Sequence, residues 1–356
     1  MRLRRGPFVA WLPKMYPLYV RRRNGPIAYR SRQIDETGHE DGEPELRLVN
    51  PDGSGARTLA PTLADGSAEW SEDGSRVAVE AEDSLVILDR EGRTVWTQAL
   101  DGSPRDPKWA PDGRRLAFMI GPDVSEEDWP PPQGRLRILD KALYVVDVET
   151  EAEPTRVGSV SGEFSWSPNG NLLSFERGND IVAVDPVGGE ERVLVSDASS
   201  PVWSPQRTHL AFERDDALWL MNADGSEQRQ LSRDGSNCSP VSWSPEGTKL
   251  LVWKFGGGLS EDPTYILDSQ RARRAPEQAD IWSPDGKMLL GCAMLGLFGM
   301  PILPYGVVSG DPKRDVNWLF VVDVDGRHRR KLVPCDPNPA ARWLPESDDA
   351  LDLAQA

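Results

Sequence analysis

The sequence predicts an all-β chain assembled from repeated four-stranded antiparallel units, and three observations carry the prediction. A tryptophan leading into a turn recurs seven times: Trp70 (WSEDG), Trp109 (WAPDG), Trp166 (WSPNG), Trp203 (WSPQR), Trp243 (WSPEG), Trp282 (WSPDG) and Trp343 (WLPES). A second series of hairpin turns runs in phase with it: NPDG at Asn50, DREG at Asp89, DVET at Asp147, DPVG at Asp185, NADG at Asn222, LDSQ around Asp268 and DVDG at Asp323. Trp70 to Asp89, Trp166 to Asp185 and Trp203 to Asn222 are all 19 residues apart, a register that unrelated turns would not keep. A period of about forty residues holding four strands describes one blade of a β-propeller, and seven tryptophan units give seven blades.

The repeat is clearest from Pro201 to Ser232. A strand ends at Trp203, a proline turn leads into Leu210-Ala211-Phe212, an acidic break precedes Leu218-Trp219-Leu220-Met221, and Asn222–Gly225 leads into Arg229-Gln230-Leu231. Period-two alternation bounded by Gly, Pro, Asn and Asp marks antiparallel strands. Proline sets φ at the first turn position, Asp or Asn bonds its own backbone, and Gly accepts positive φ. One such sheet cannot bury both faces, so it needs copies on either side. The tryptophans are large enough to fill the wedge between copies, which makes them packing residues rather than ligand platforms.

The termini complete the count. The amino-terminal segment begins at a second strand (Ile27-Ala28-Tyr29), continues through Leu46–Val49 and ends at Thr58-Leu59, with no tryptophan strand of its own. The carboxy terminus supplies one, Ala341-Arg342-Trp343. Pairing the two closes the propeller and removes exposed sheet edges. The division is then a basic leader over 1–26, expected to be disordered, a propeller over 27–345 and an acidic tail over 346–356. Residues 1–23 hold seven basic residues and no acid, with a short broken apolar stretch, and do not read as a secretory signal. A start codon placed too early, with Met15 available, is the other reading of the leader.

The 356 residues hold 41 basic and 57 acidic side chains, a net charge of −16, which argues against a nucleic-acid backbone as partner. No apolar run reaches the length of a membrane span. Cys238, Cys292 and Cys335 form neither a disulfide framework nor a metal-ligand spacing. The chain reads as a monomer, cytoplasmic by default, with export as the alternative.

The phrases WSPDGKMLL, WSPEGTKLLVW and LWLMNADGSEQRQLS resemble the WD-repeat-like propeller repeats of the TolB family, which also occur in the propellers of prolyl-oligopeptidase-type peptidases. The resemblance covers about residues 27–345 and implies the propeller fold. It does not extend to function. The α/β domain that precedes the TolB blades has no counterpart in 26 residues. The nearest approach to a hydrolase Gly-x-Ser-x-Gly elbow, Gly158–Gly162, has Val160 at the centre.

If blades are scaffold, function is expected where the repeat breaks. Against the 19-residue baseline, the Trp109 unit carries 19 extra residues, the Trp243 unit 6 and the Trp282 unit 22, and the split unit carries 11. All four insertions fall between second and third strands, hence on the face opposite the WSPDG and NADG turns. With the split unit as the first, three lie on consecutive blades, the sixth, seventh and first. The Trp109 insertion is acidic and then rigid, with Trp129 beside three prolines; the split-unit loop QIDETGHEDGEP is acidic; the Trp282 insertion is apolar and offers Leu297, Phe298 and Tyr305. An apolar segment with an acidic rim suits a partner that is basic and partly hydrophobic. The competing reading is that the apolar insertion folds over the channel mouth and buries itself.

His39, His209 and His328 fall on different elements, so no shared metal centre is expected, and the Asp-rich hairpins lack the terminal glutamate of a calcium loop. The reading is therefore a non-catalytic module that binds a protein, peptide or glycan with Trp129, Leu297, Phe298 and Tyr305, without a cofactor. The alternative is a hydrolase, lactonase or lyase using calcium or another divalent ion in the central channel, held by Glu69, Asp106, Glu163 and Asp280 near their tryptophans.

Overall fold

A computed structural model describes residues 24–34, 40–60, 68–81, 83–121, 141–150, 152–206, 208–233, 236–254, 264–268, 272–276, 279–294, 317–334 and 342–345. The described residues form 28 strands in seven four-stranded sheets and no helix. Blade 1 has the order β28 (Arg342–Pro345), β1 (Asn24–Ile34), β2 (Glu40–Val49), β3 (Arg57–Ala60). Blade 2 is β4 (Ala68–Trp70), β5 (Arg76–Ala81), β6 (Ser84–Asp89), β7 (Thr94–Ala99). Blade 3 is β8 (Pro104–Trp109), β9 (Arg115–Ile120), β10 (Lys141–Asp147), β11 (Thr155–Val160). Blade 4 is β12 (Phe164–Trp166), β13 (Leu173–Arg177), β14 (Asp180–Val184), β15 (Glu191–Val195). Blade 5 is β16 (Ser199–Trp203), β17 (His209–Arg214), β18 (Ala217–Asn222), β19 (Arg229–Gln230). Blade 6 is β20 (Cys238–Trp243), β21 (Leu250–Lys254), β22 (Thr264–Leu267), β23 (Ala272–Arg274). Blade 7 is β24 (Ala279–Trp282), β25 (Met288–Met294), β26 (Asn317–Asp323), β27 (Arg330–Pro334). The strands pair antiparallel within each sheet, and the fold is that of a seven-bladed β-propeller.

The chain divides into two compact units, Ala64–Trp203 and Met1–Leu63 with Ser204–Ala356. In the first, Trp109 packs with Ala78, Leu85 and Ile87 of blade 2, and Trp166 packs with Ala117, Met119 and Leu143 of blade 3. In the second, Trp282 packs with Leu251 and Ile266 of blade 6. Blade 1 is completed by β28 as the sequence predicts: Trp343 lies opposite Ile27 and Arg342 opposite Ala28. Trp343 is 4% exposed and joins Ile27, Tyr29 and Val49 to Leu290, Leu319 and Val321 of blade 7. That wedge of side chains fixes the register of a strand only four residues long.

Two expectations change. The middle strands do not alternate: Leu210, Ala211 and Phe212 of β17 are all fully buried, as are Val77 and Ala78 of β5. Blades packed on both faces leave second and third strands without a solvent side, so apolar residues run consecutively. The acidic segment from Gln33 to Pro44 is not all loop either. β1 and β2 pair out to Ile34 opposite Glu40, leaving 35–39 between them. β1 also starts at Asn24, inside the segment read as leader, and Asn24 lies opposite Pro345.

Candidate binding face and the contacts that hold it

Each blade presents two ends. At one end lie the Trp-x-Pro-x-Gly turns and the third-to-fourth hairpins, most of whose polar groups bond within the turn itself; the buried Gln206 Oε1 after Trp203 is an exception. In the turn after Trp282, the Ser283 hydroxyl donates to Asp285 Oδ1 at 2.8 Å and accepts the Met288 N–H at 2.9 Å, while Gly286 donates to the Ser283 carbonyl at 2.8 Å. The same buried serine recurs as Ser71, Ser167 and Ser204, accepting the N–H five residues on at 3.1, 2.9 and 3.1 Å. In the hairpin at Asn222, Asp224 Oδ1 takes both the backbone N–H and the hydroxyl of Ser226, and Gly225 turns with φ of +91°. Gly170 combines φ of +69° with close approach: a Cβ there would lie 2.7 Å from Arg115 Nη2 of blade 3, whose guanidinium sits over the Trp166 ring.

These turns depress the carboxylates they use. Burial pushes Asp73 and Asp285 up, but bonds from Ser71 and Ser75, or from Ser283 and the Lys287 N–H, outweigh it and hold both below the ordinary carboxylate value. Such groups are acceptors committed to the scaffold and unsuited to proton transfer.

At the opposite end, second strands lead to third strands. The three shortest of these connections are the tight ones of blades 2, 4 and 5, where Ala81 lies opposite Ser84, Arg177 opposite Asp180 and Arg214 opposite Ala217. The four longer connections are 35–39 in blade 1, 121–140 in blade 3, 255–263 in blade 6 and 295–316 in blade 7. Within its own blade each of them leaves from the end opposite the third-to-fourth hairpin. Trp129, Leu297, Phe298 and Tyr305 belong to these segments and lie outside the described residues.

A second set of contacts locks the loop-bearing end. Glu80, 4% exposed on β5, accepts the Asp106 N–H of blade 3 at 2.7 Å. Glu176 on β13 accepts the Ser200 N–H of β16 at 2.6 Å. Asp106 and Ser200 take up φ of +50° and +54°, which turns each N–H toward its carboxylate. Glu213 on β17 bonds Ser239 of blade 6, and burial drives its carboxyl above the ordinary value despite that bond. Each glutamate stands ten residues after its tryptophan (Trp70, Trp166, Trp203), a spacing present in the sequence that the turn motifs overshadowed.

The indole N–H groups also cross between blades. Trp109 donates to the Glu69 carbonyl at 2.9 Å, Trp166 to the Lys108 carbonyl at 2.9 Å and Trp282 to the Ser242 carbonyl at 3.4 Å, each acceptor being the residue just before the previous tryptophan. Trp203 departs from this rule and donates to the Ser174 hydroxyl at 2.9 Å.

The carboxylates read as a possible ion site are placed as follows. Glu69 is half-buried on β4 and lends its carbonyl to Trp109. Asp106 is exposed, with its N–H given to Glu80. Glu163 meets Lys108 Nζ at 3.1 Å, and the same ammonium donates to the Phe164 carbonyl at 2.8 Å and sits over the Phe164 ring. Asp280 lies on β24, and its side chain is outside the described set. Among the described residues no group of three His, Cys, Asp or Glu side chains is placed to hold a metal ion. His328 bonds Asp323 at 2.7 Å on an exposed hairpin of blade 7, whereas His209 begins β17, so the structure does not bring these two together. Burial raises the Cys238 thiol to about 11, which leaves it protonated and inert.

Comparison with known proteins agrees at the level of fold. No protein-family model matches the chain, and no curated protein matches it in sequence. Among solved structures it is similar to TolB from Acinetobacter baumannii, with 17% identity and a TM-score of 0.51 over 90% of this chain and 67% of that one. It is also similar to a chain of the mitotic checkpoint complex, with 16% identity and a TM-score of 0.50 over 82% of this chain and 95% of that one. The chain has the propeller fold that these structures share, which is the fold the WSPDG and NADG phrases imply.

Proposed function

We propose that this chain is a non-catalytic binding module whose loop-bearing end engages a protein, peptide or glycan. The observation that carries the reading is that each of the four longer connections leaves its blade at the end opposite the third-to-fourth hairpin, where most turn polar groups bond within the turn. A scaffold of short saturated turns with variable loops at one end is the usual arrangement for recognition surfaces. The residues assigned to contact are Trp129, Leu297, Phe298 and Tyr305, aromatic and apolar anchors beside acidic sequence. A glutamate latch beneath blades 2, 4 and 5 supports the same reading, since it spends carboxylates on rigidity.

The test replaces Leu295–Tyr305 with a short Gly-Ser linker and compares full-length and altered chains on protein and glycan arrays. Circular dichroism and thermal unfolding verify that the fold is kept. Loss of the captured species with an unchanged unfolding midpoint is the expected result. Calcium binding by calorimetry that disappears in Glu69→Ala and Asp280→Ala would instead select the ion-dependent enzyme.

A further inference from the structure

Outermost strands expose unpaired backbone donors and acceptors, and proteins protect them with charge, brevity or cover. Six of the seven here carry a basic residue: Arg57 on β3, Arg156 on β11, Arg192 on β15, Arg229 on β19, Arg274 on β23 and Lys331 on β27. β7 carries no charged residue at all; its sequence is Thr-Val-Trp-Thr-Gln-Ala. Its six residues equal β11 as the longest outer strand, while β19 and β23 have two and three. Among the described residues β6 is its only strand partner. A bulge opposite Ile87 and Leu88 leaves Val95 outside the ladder, 53% exposed. Comparable irregularities occur at β11, β15 and β27, so the bulge does not substitute for the missing charge.

We propose that the outer edge of β7 accepts an extended, basic-tipped segment of a partner protein as a fifth, antiparallel strand of blade 2. Charge selects the occupant and its direction. Where β7 begins, Arg93 neutralises Asp89 at 2.7 Å and Glu91 at 2.9 Å. Where it ends, the exposed Asp83, Asp101 and Glu153 have no cationic partner among the described residues, and Gln98 Nε2 bonds Glu153 at 3.0 Å. An antiparallel incoming strand puts its amino-terminal end beside these three carboxylates, so its basic residues precede its β-forming stretch. Main-chain bonds supply the affinity, with Val95 and the half-buried Trp96 offering apolar contact in the middle. A second copy of this chain is disfavoured as occupant because the basic group that antiparallel β7–β7 pairing brings to the acidic end, Arg93, is already neutralised by Asp89 and Glu91 of its own hairpin.

The probe is a fluorescein-labelled peptide, Arg-Arg-Gly-Thr-Val-Tyr-Val-Thr-Val-Ser, titrated with the full chain at low salt and followed by anisotropy. Saturable binding is expected, weakened about tenfold or more by Thr97→Lys, which gives β7 the charge its counterparts have. The Asp101→Lys, Glu153→Lys pair is expected to weaken it similarly, and Val193→Lys on β15 to leave it unchanged. Backbone N-methylation of alternate peptide residues is expected to abolish it, because only strand pairing needs those N–H groups. Equal binding of the methylated peptide, indifference to Thr97→Lys, or no binding at all would overturn the proposal. So would a concentration-dependent dimer lost in Thr97→Lys, which would identify a second copy as the occupant.

Discussion

Ser167 accepts the Leu172 N–H at 2.9 Å and donates to Asn169 at 2.7 Å, and it is almost fully buried. Ser167→Ala strands both groups, so urea denaturation is expected to show a loss of about 1–2 kcal/mol. Gly170→Ala should cost at least as much, because an L-residue in the left-handed region costs about 1–2 kcal/mol before Arg115 is displaced. Asp73 and Asp285 give a pH dependence whose sign follows from their lowered folded pKa values. Their contribution is complete above the ordinary carboxylate value and fades as pH falls below it through the folded values. The unfolding midpoint should therefore drop as pH falls below about 4. Asp285→Asn should flatten that drop, since Asn169 already fills the equivalent place in blade 4 with its Oδ1 accepting the Ser167 hydroxyl and the Asn171 N–H. Turn residues of this kind were legible in the sequence because their chemistry is local. The glutamates at 80, 176 and 213 were not, because their partners lie 24 or 26 residues away on the next blade.

At the scale of strands, the recurrence of tryptophan turns with in-phase hairpins was enough to place most of the blades. It also identified β28 as the missing first strand of blade 1, where Trp343 faces Ile27. It failed for the arms of β1 and β2, where Gly, Asp and Glu read as loop although the backbone continues pairing to Ile34 and Glu40. Strand propensity there is set by the partner strand rather than by composition. Trp343→Ala removes the side chain that ties β28 to blades 1 and 7, and a loss of about 3–5 kcal/mol is expected in chemical denaturation. A chain ending at residue 340 should also scatter light on storage, because β1 then offers an uncovered edge. One ending at Pro345 should not.

Over the whole molecule, charge separates the partner classes that the loop-bearing end could serve. Of 41 basic residues seven lie in 1–23, which leaves 34 against 57 acids in the remainder, a balance of −23. A basic protein partner drawn by that field should bind more weakly as sodium chloride is raised from low ionic strength to about 0.5 M, where screening extends only a few ångströms. A neutral glycan held by Trp129 and Tyr305 should be indifferent to the same titration, and calorimetry at the two salt levels distinguishes them. The residues proposed for contact stand out only as breaks in a repeat, because what a recognition loop binds is set by side chains that the repeat does not constrain.

Asn24 faces Pro345 at the same end of the antiparallel β1–β28 pair, with Ile27–Trp343 and Ala28–Arg342 following inward. Tension applied at these two points would therefore load one backbone bond at a time and peel the pair like a zip, instead of shearing all its bonds together. Under an optical trap, blade 1 should open first and at low force, leaving the remaining sheets folded while their neighbour comes undone.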